Sequence, residues 1–162
     1  MPFIKKKRVN GKVVFINLSG GGVPKLPVPS ATLMRDGFFG DIQKNKKYHG
    51  GPERAVCIFS LEIIQQLQAE GHPIFPGSTG ENLTLQFPDY HLLVPETILQ
   101  IGETVRIQIS KYAPPCKTIK RSFLKEKFTR IGQKEHPGSS RLYARVLQEG
   151  VIHEGDVVMV VE

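Results

Sequence analysis

The sequence has no tryptophan and only two cysteines, Cys57 and Cys116, set 59 positions apart. So few thiols exclude a disulfide scaffold and point to a reducing compartment, the cytoplasm. The five histidines, at 49, 72, 91, 136 and 153, never recur at the short spacing of a zinc finger. No apolar run approaches the ~20 residues of a membrane-spanning helix. The basic segment Met1 to Arg8 is followed by no apolar stretch and no small-residue cleavage site, which argues against a secretory signal. Also missing are the P-loop signature, a G-x-G-x-x-G after a strand and the G-x-S-x-G elbow. Nucleotide-phosphate, dinucleotide and α/β-hydrolase readings therefore lose their usual anchors.

Basic residues are missing from two stretches, 55–105 and 146–162. Residues 55–105 hold no Lys or Arg and six acids, whereas residues 1–54 carry +8 and residues 106–145 carry +9. The last segment, 146–162, carries −4, and the whole chain +7. Two basic blocks in one fold can converge on an anionic ligand or simply form solvated surface. Nucleic acid is the generic partner for such a balance, but no aromatic residues interleave the basic runs as a stacking platform. Nucleic acid is thus the weakest of the partner readings.

What is present suffices for a core. The chain has 162 residues, 40% of them hydrophobic and 23% charged. A chain of this length buries roughly 68–70% of its unfolded surface without help from disulfides. No linker divides it, so it reads as one domain over 1–162. Sixteen glycines and twelve prolines are more punctuation than a helical bundle tolerates.

Lys12 to Leu18, Ala55 to Phe59, Glu81 to Phe87, Leu142 to Leu147 and Val157 to Val161 read as strands. Thr104 to Ser110 alternates, with Val105, Ile107 and Ile109 on one face. Val23 to Pro29 reads as a Pro-rich extended loop. Ser60 caps a helix whose Leu61, Ile64 and Leu67 share a face and which Gly71 stops. A second helix is expected over Ser122 to Ile131, where Leu124, Phe128 and Ile131 recur at helical spacing. Gly102-Glu103-Thr104-Val105 and Gly155-Asp156-Val157-Val158 repeat one turn-into-strand pattern. Many short strands and few helices predict a mainly β fold, a small closed or partly closed barrel with two or more peripheral helices.

Four places carry chemistry-bearing residues. Cys116 follows Pro114 and Pro115, which make a rigid extended loop, and Lys111, Lys117, Lys120 and Arg121 around it favour a thiolate. The plainer reading is an ordinary loop cysteine. Cys57, inside an apolar run, reads as a small buried hydrophobe. His49-Gly50-Gly51-Pro52-Glu53-Arg54 sets an imidazole and a guanidinium around a Gly-Gly turn, either a ligand-facing loop or a tight turn before a strand. Gly77 to Leu83 is a second glycine loop with polar side chains, and Lys25 sits on the Pro-rich loop.

In order, Gly20-Gly21-Gly22-Val23-Pro24-Lys25, Gly40-Asp41, His49-Gly50-Gly51-Pro52 with Arg54-Ala55-Val56, Gly80-Glu81-Asn82-Leu83, Pro115-Cys116 and Arg145-Val146 resemble the MOSC family. That family is named for the C-terminal domain of molybdenum cofactor sulfurase, and this chain is similar to its short, stand-alone bacterial members. The resemblance implies a barrel like that of the pyruvate kinase barrel domain and binding of the molybdenum cofactor, molybdopterin. It implies Cys116 as metal ligand or persulfide carrier, and Lys25, His49 and Arg54 as further site residues. Gly50, Gly51, Gly80, Glu81 and Asn82 fall in the motifs expected to contact the cofactor.

Two activities follow from that resemblance. One is a reductase of N-hydroxylated bases or related N–O compounds, with molybdenum on Cys116, His49 or Lys25 supplying protons, and an external electron donor. The other is a carrier in which Cys116 takes sulfur from a sulfur donor and hands it on, or in which cofactor is delivered to another enzyme.

Overall fold

The alternating segment sets the frame. Val105, Ile107 and Ile109 are fully buried, while Arg106 between them is exposed. They lie on one of eleven strands in the computed structural model, which describes residues 10–42 and 51–161. The strands are β1 (Asn10–Leu18), β2 (Leu26–Val28), β3 (Ser30–Met34), β4 (Gly37–Phe38), β5 (Val56–Ser60), β6 (Leu83–Gln86), β7 (Ile98–Ile101), β8 (Val105–Tyr112), β9 (Leu142–Gln148), β10 (Gly150–His153) and β11 (Val157–Val161). One α-helix, α1 (Leu61–Ala69), is found among the described residues.

Seven strands hydrogen-bond in the order β1-β11-β7-β8-β9-β5-β6 and return to β1, closing a barrel. Closure leaves no barrel edge, which is how a small all-β fold satisfies its backbone groups. β1 is the closing strand. Its Asn10 to Lys12 pair with β11, and Lys12 to Ile16 pair with β6 across an irregularity between Val13 and Phe15. A bulge of this kind bends a strand, and β1 ends paired to β2 through Ile16 to Leu18. β10, β3 and β4 form a separate three-stranded antiparallel sheet.

One neighbour pair, β5 with β6, is parallel. Parallel neighbours need a crossover, and α1 lies between them in the chain. All five residues of β5 are buried, as a strand covered on both faces requires. Ser60 caps α1 as expected, its Oγ accepting the Ile63 N–H at 3.1 Å, and Ile64 and Leu67 face the core. The repeated Gly-acid turns are spatial neighbours: Gly102 N–H donates to Val157 O at 2.9 Å.

The structure departs from the sequence expectation in three places. Ser122 to Ile131 is not an α-helix. It belongs to a run of 3-10 turns, Lys117–Ser122, Leu124–Glu126 and Phe128–Ile131, broken where Lys125 and Glu126 take positive φ of 52° and 57°. Ile131 is buried and Phe128 packs partly against the core, but Leu124 is exposed, so the single turns only mimic the side-chain spacing of a helix. The Pro-rich loop gains the short strand β2, because β1 offers it an edge. β3, β4, β7 and β10 are too short for their periodicity to show. No helix among the described residues is long and apolar enough to cross a membrane.

Candidate active site

A cavity of about 230 Å³ opens between the loop after β1, the Gly77–Asn82 loop before β6, the Pro114–Cys116 loop after β8 and the start of β9. Lys25, Cys57, Asn82, Cys116, Arg141 and Tyr143 are on its wall. The two cysteines, distant in sequence, thus share one cavity. The loops are locked by backbone approach. Lys25 N–H donates to Gly77 O at 2.9 Å, and a Cβ on Gly77 would lie 2.2 Å from Lys25 O, so only glycine fits there. Gly77 also holds φ of +87° and Gly80 +81°.

Lys25 is buried with its partner. Its Nζ lies 2.6 Å from Asp41 Oδ2, and the two side chains are 9% and 3% exposed. Asp41 is further held by Ser19 N–H at 2.9 Å and by Asn82 Nδ2 at 2.9 Å. Asn82 Oδ1 in turn accepts the Cys57 N–H at 3.0 Å. One chain of contacts therefore runs from Lys25 through Asp41 and Asn82 to the backbone of Cys57. A buried ion pair needs such added hydrogen bonds to offset its desolvation.

Behind this wall Glu81 is fully buried. It accepts from Thr79 Oγ1 and Thr84 Oγ1, each at 3.0 Å, and from the backbone N–H of Gly77 and Glu81. Burial raises its pKa against those four donors. The Cys57 thiol is likewise pushed up to about 11 by burial, and the Tyr143 hydroxyl to about 12, again chiefly by burial. Cys57 is therefore a neutral thiol at ordinary pH. Cys116 is half-buried, at the start of the 3-10 turn Lys117–Ser122.

Arg141, 4% exposed, spans two of the cavity's loops: Nη1 donates to Thr79 O at 2.6 Å and Nη2 to Pro114 O at 3.1 Å. Its Nε is buried without a partner. Arg54 has its guanidinium carbon 5.8 Å from the centre of the Tyr143 ring, a cation–π distance. Arg145, by contrast, lies outside the cavity. It grips Glu53 with Nη2 at 2.7 Å from Oε2, tying the 3-10 turn Pro52–Arg54 to β9 and lowering the Glu53 pKa.

The family model of the MOSC domain matches residues 45–159. The chain belongs to the MOSC family. Its sequence is similar to YflK of Bacillus subtilis (strain 168), 31% identical over 137 residues, or 83% of this chain. The match spans only 60% of YflK. Among solved structures, YiiM from Geobacillus stearothermophilus superposes with a TM-score of 0.74 at 26% identity, covering 94% of this chain and 75% of that one. The YuaD protein of Bacillus subtilis shares the fold, with a TM-score of 0.77 at 15% identity, covering 95% of this chain and 97% of that one.

Within this MOSC chain the motif residues separate into three groups. Lys25, Gly80, Asn82 and Cys116 meet at the cavity. Arg54 stands beside it through Tyr143, Gly51 caps the adjoining 3-10 turn, and Glu81 braces the Gly77–Asn82 loop from behind. His49 and Gly50 lie outside the described residues. From the sequence alone Cys57 reads as a small buried hydrophobe, and neither Arg141 nor Tyr143 carries a local signal. Asp41 was visible only as part of Gly40-Asp41. Nothing in one dimension marks Arg141 among the eleven cations of its block.

Proposed function

We propose that this MOSC chain binds the molybdenum cofactor, molybdopterin, with Cys116 as metal ligand, and reduces N-hydroxylated bases or related N–O compounds in the cytoplasm. The observation that carries the reading is the half-exposed Cys116 thiol on the wall of a cavity it shares with buried cationic groups. The donor set fits the group. A thiolate is a soft ligand suited to a thiophilic metal, and Arg54, stacked on Tyr143 at the cavity wall, suits an anionic cofactor. When bound, the cofactor supplies a metal able to take an oxygen atom, with electrons from an external donor.

The chain's own residues supply the rest. Pro114 and Pro115 hold Cys116 in an extended loop. Asp41 fixes Lys25 Nζ, which holds a proton at the cavity wall, and His49 is the second proton carrier in this reading. Arg54 with Gly50, Gly51, Gly80, Glu81 and Asn82 forms the cofactor-contacting set, Glu81 by keeping the Gly77–Asn82 loop in place.

Molybdenum and pterin content, measured on protein made with and without host cofactor synthesis, tests the binding. The expected result is metal and pterin in the wild type from the competent host only, and neither in a folded Cys116→Ala variant. Equal metal in wild type and variant would overturn it. A sulfur-carrier reading is favoured by one observation, the second thiol Cys57 in the same cavity. It requires Cys116 in the active protein to gain one sulfur atom by mass from a sulfur donor and pass it on.

A further inference from the structure

Arg141 is a buried charge with an unsatisfied donor. A guanidinium carries five N–H donors. Two of Arg141's are spent on the carbonyls of Thr79 and Pro114, and Nε has no partner. No carboxylate pairs with it among the described residues. The two buried carboxylates behind the cavity are already engaged: Asp41 by Lys25, Asn82 and Ser19, and Glu81 by two threonine hydroxyls and two backbone N–H groups. Bridging two carbonyls needs only a neutral donor such as an amide. A desolvated, unneutralised cation is a costly way to do it. The charge faces a cavity, and the loop it grips through Pro114 is the loop that carries Cys116.

We propose that Arg141 anchors an oxyanion, a phosphate ester or carboxylate carried by the substrate, so that the rest of the substrate lies against Cys116. The anion completes the guanidinium's unused donors and neutralises its charge. Lys25 does not compete for it, being already paired with Asp41. The proposal deepens the reductase reading by naming the class of substrate, but it is tested on the metal-free thiol, so the two can fail separately.

The test uses protein from a host without the cofactor and two alkylating reagents with the same leaving group, iodoacetate (anionic) and iodoacetamide (neutral). Modification of Cys116 is followed by peptide mass mapping at about 0.3 M NaCl, where steering by surface lysines is largely screened. The iodoacetate-to-iodoacetamide rate ratio at Cys116 should exceed that of the urea-unfolded protein by about tenfold, the scale of one charge-assisted contact. Methyl phosphate or acetate should suppress it saturably, and the more effective of the two identifies the phosphate or the carboxylate. Arg141→Lys should retain part of the preference, and Arg141→Gln should return the ratio to the unfolded value. A folded Arg141→Gln variant that keeps the wild-type ratio overturns the proposal. So does a wild-type ratio equal to the unfolded one with no protection by either anion, and this arm decides the matter even if Arg141→Gln does not fold.

Discussion

Along β7, β8 and β11 the inward side chains are apolar: Leu99, Ile101, Val105, Ile107, Ile109 and Val158 are all fully buried. Around the cavity the buried residues include Lys25, Glu81, Asn82 and Arg141. Both walls belong to one barrel, yet they are held by different forces. The first gains from removal of apolar area from water, which is non-directional and tolerates small changes of shape. The second depends on specific partners, because each buried polar group left unpaired carries its full desolvation cost. The barrel thus has a side that is robust to substitution and a side where single atoms matter.

The sharpest way to test this contrast is to remove one partner of the buried pair. Asp41→Ala strands Lys25 and frees the Ser19 N–H and Asn82 Nδ2. It should cost about 3–5 kcal/mol, the scale for an orphaned buried charge, read as a fall in the urea midpoint with an unchanged m-value. A loss below about 1 kcal/mol would mean the pair is hydrated and the two walls are alike.

The next effect is a pH dependence confined to the cavity side. The folded protein holds the Cys57 proton up to about pH 11, whereas the unfolded chain releases it near its ordinary value of 9.0. A raised folded pKa means stability from this group is full below pH ~9 and is lost as pH rises toward 11. The loss should be on the order of 2 kcal/mol. Wild type should therefore destabilise more steeply than Cys57→Ala between those pH values in thermal or urea unfolding. Parallel curves would place Cys57 in contact with water.

The smallest effect belongs to the apolar side. Ile107→Val on β8 removes one methylene opposite Leu99 and should cost about 1 kcal/mol. It should leave the Cys116 alkylation rate unchanged. A changed rate would show that the two walls are mechanically coupled.

The elements read correctly from the sequence are those whose signal is local. β8 announces itself by alternation, β5 by a continuous apolar run, and α1 by Ser60 at its cap and Gly71 at its end. β7 and β10, four residues each, carry too little period to be seen. The supposed helix over 122–131 failed because consecutive 3-10 turns present apolar residues at the same spacing. In the site, motif resemblance reached Lys25, Gly80, Asn82 and Cys116, which the fold does bring together. It missed Cys57, whose apolar neighbours say only that it is buried.

The sequence by itself determined that this would be a β-rich fold with a small number of helices, that Cys116 would sit on a stiff loop, and that the chain resembles the MOSC family. Those follow from periodicity, proline and short motifs, all properties of neighbouring residues. Only the tertiary structure decided that Cys57 and Cys116 face one cavity, that Asp41 neutralises Lys25, and that Arg141 has no carboxylate partner among the described residues. Charge pairing and burial are set by which strands close the barrel, and residues 16 to 62 positions apart have no local chemistry that could announce it.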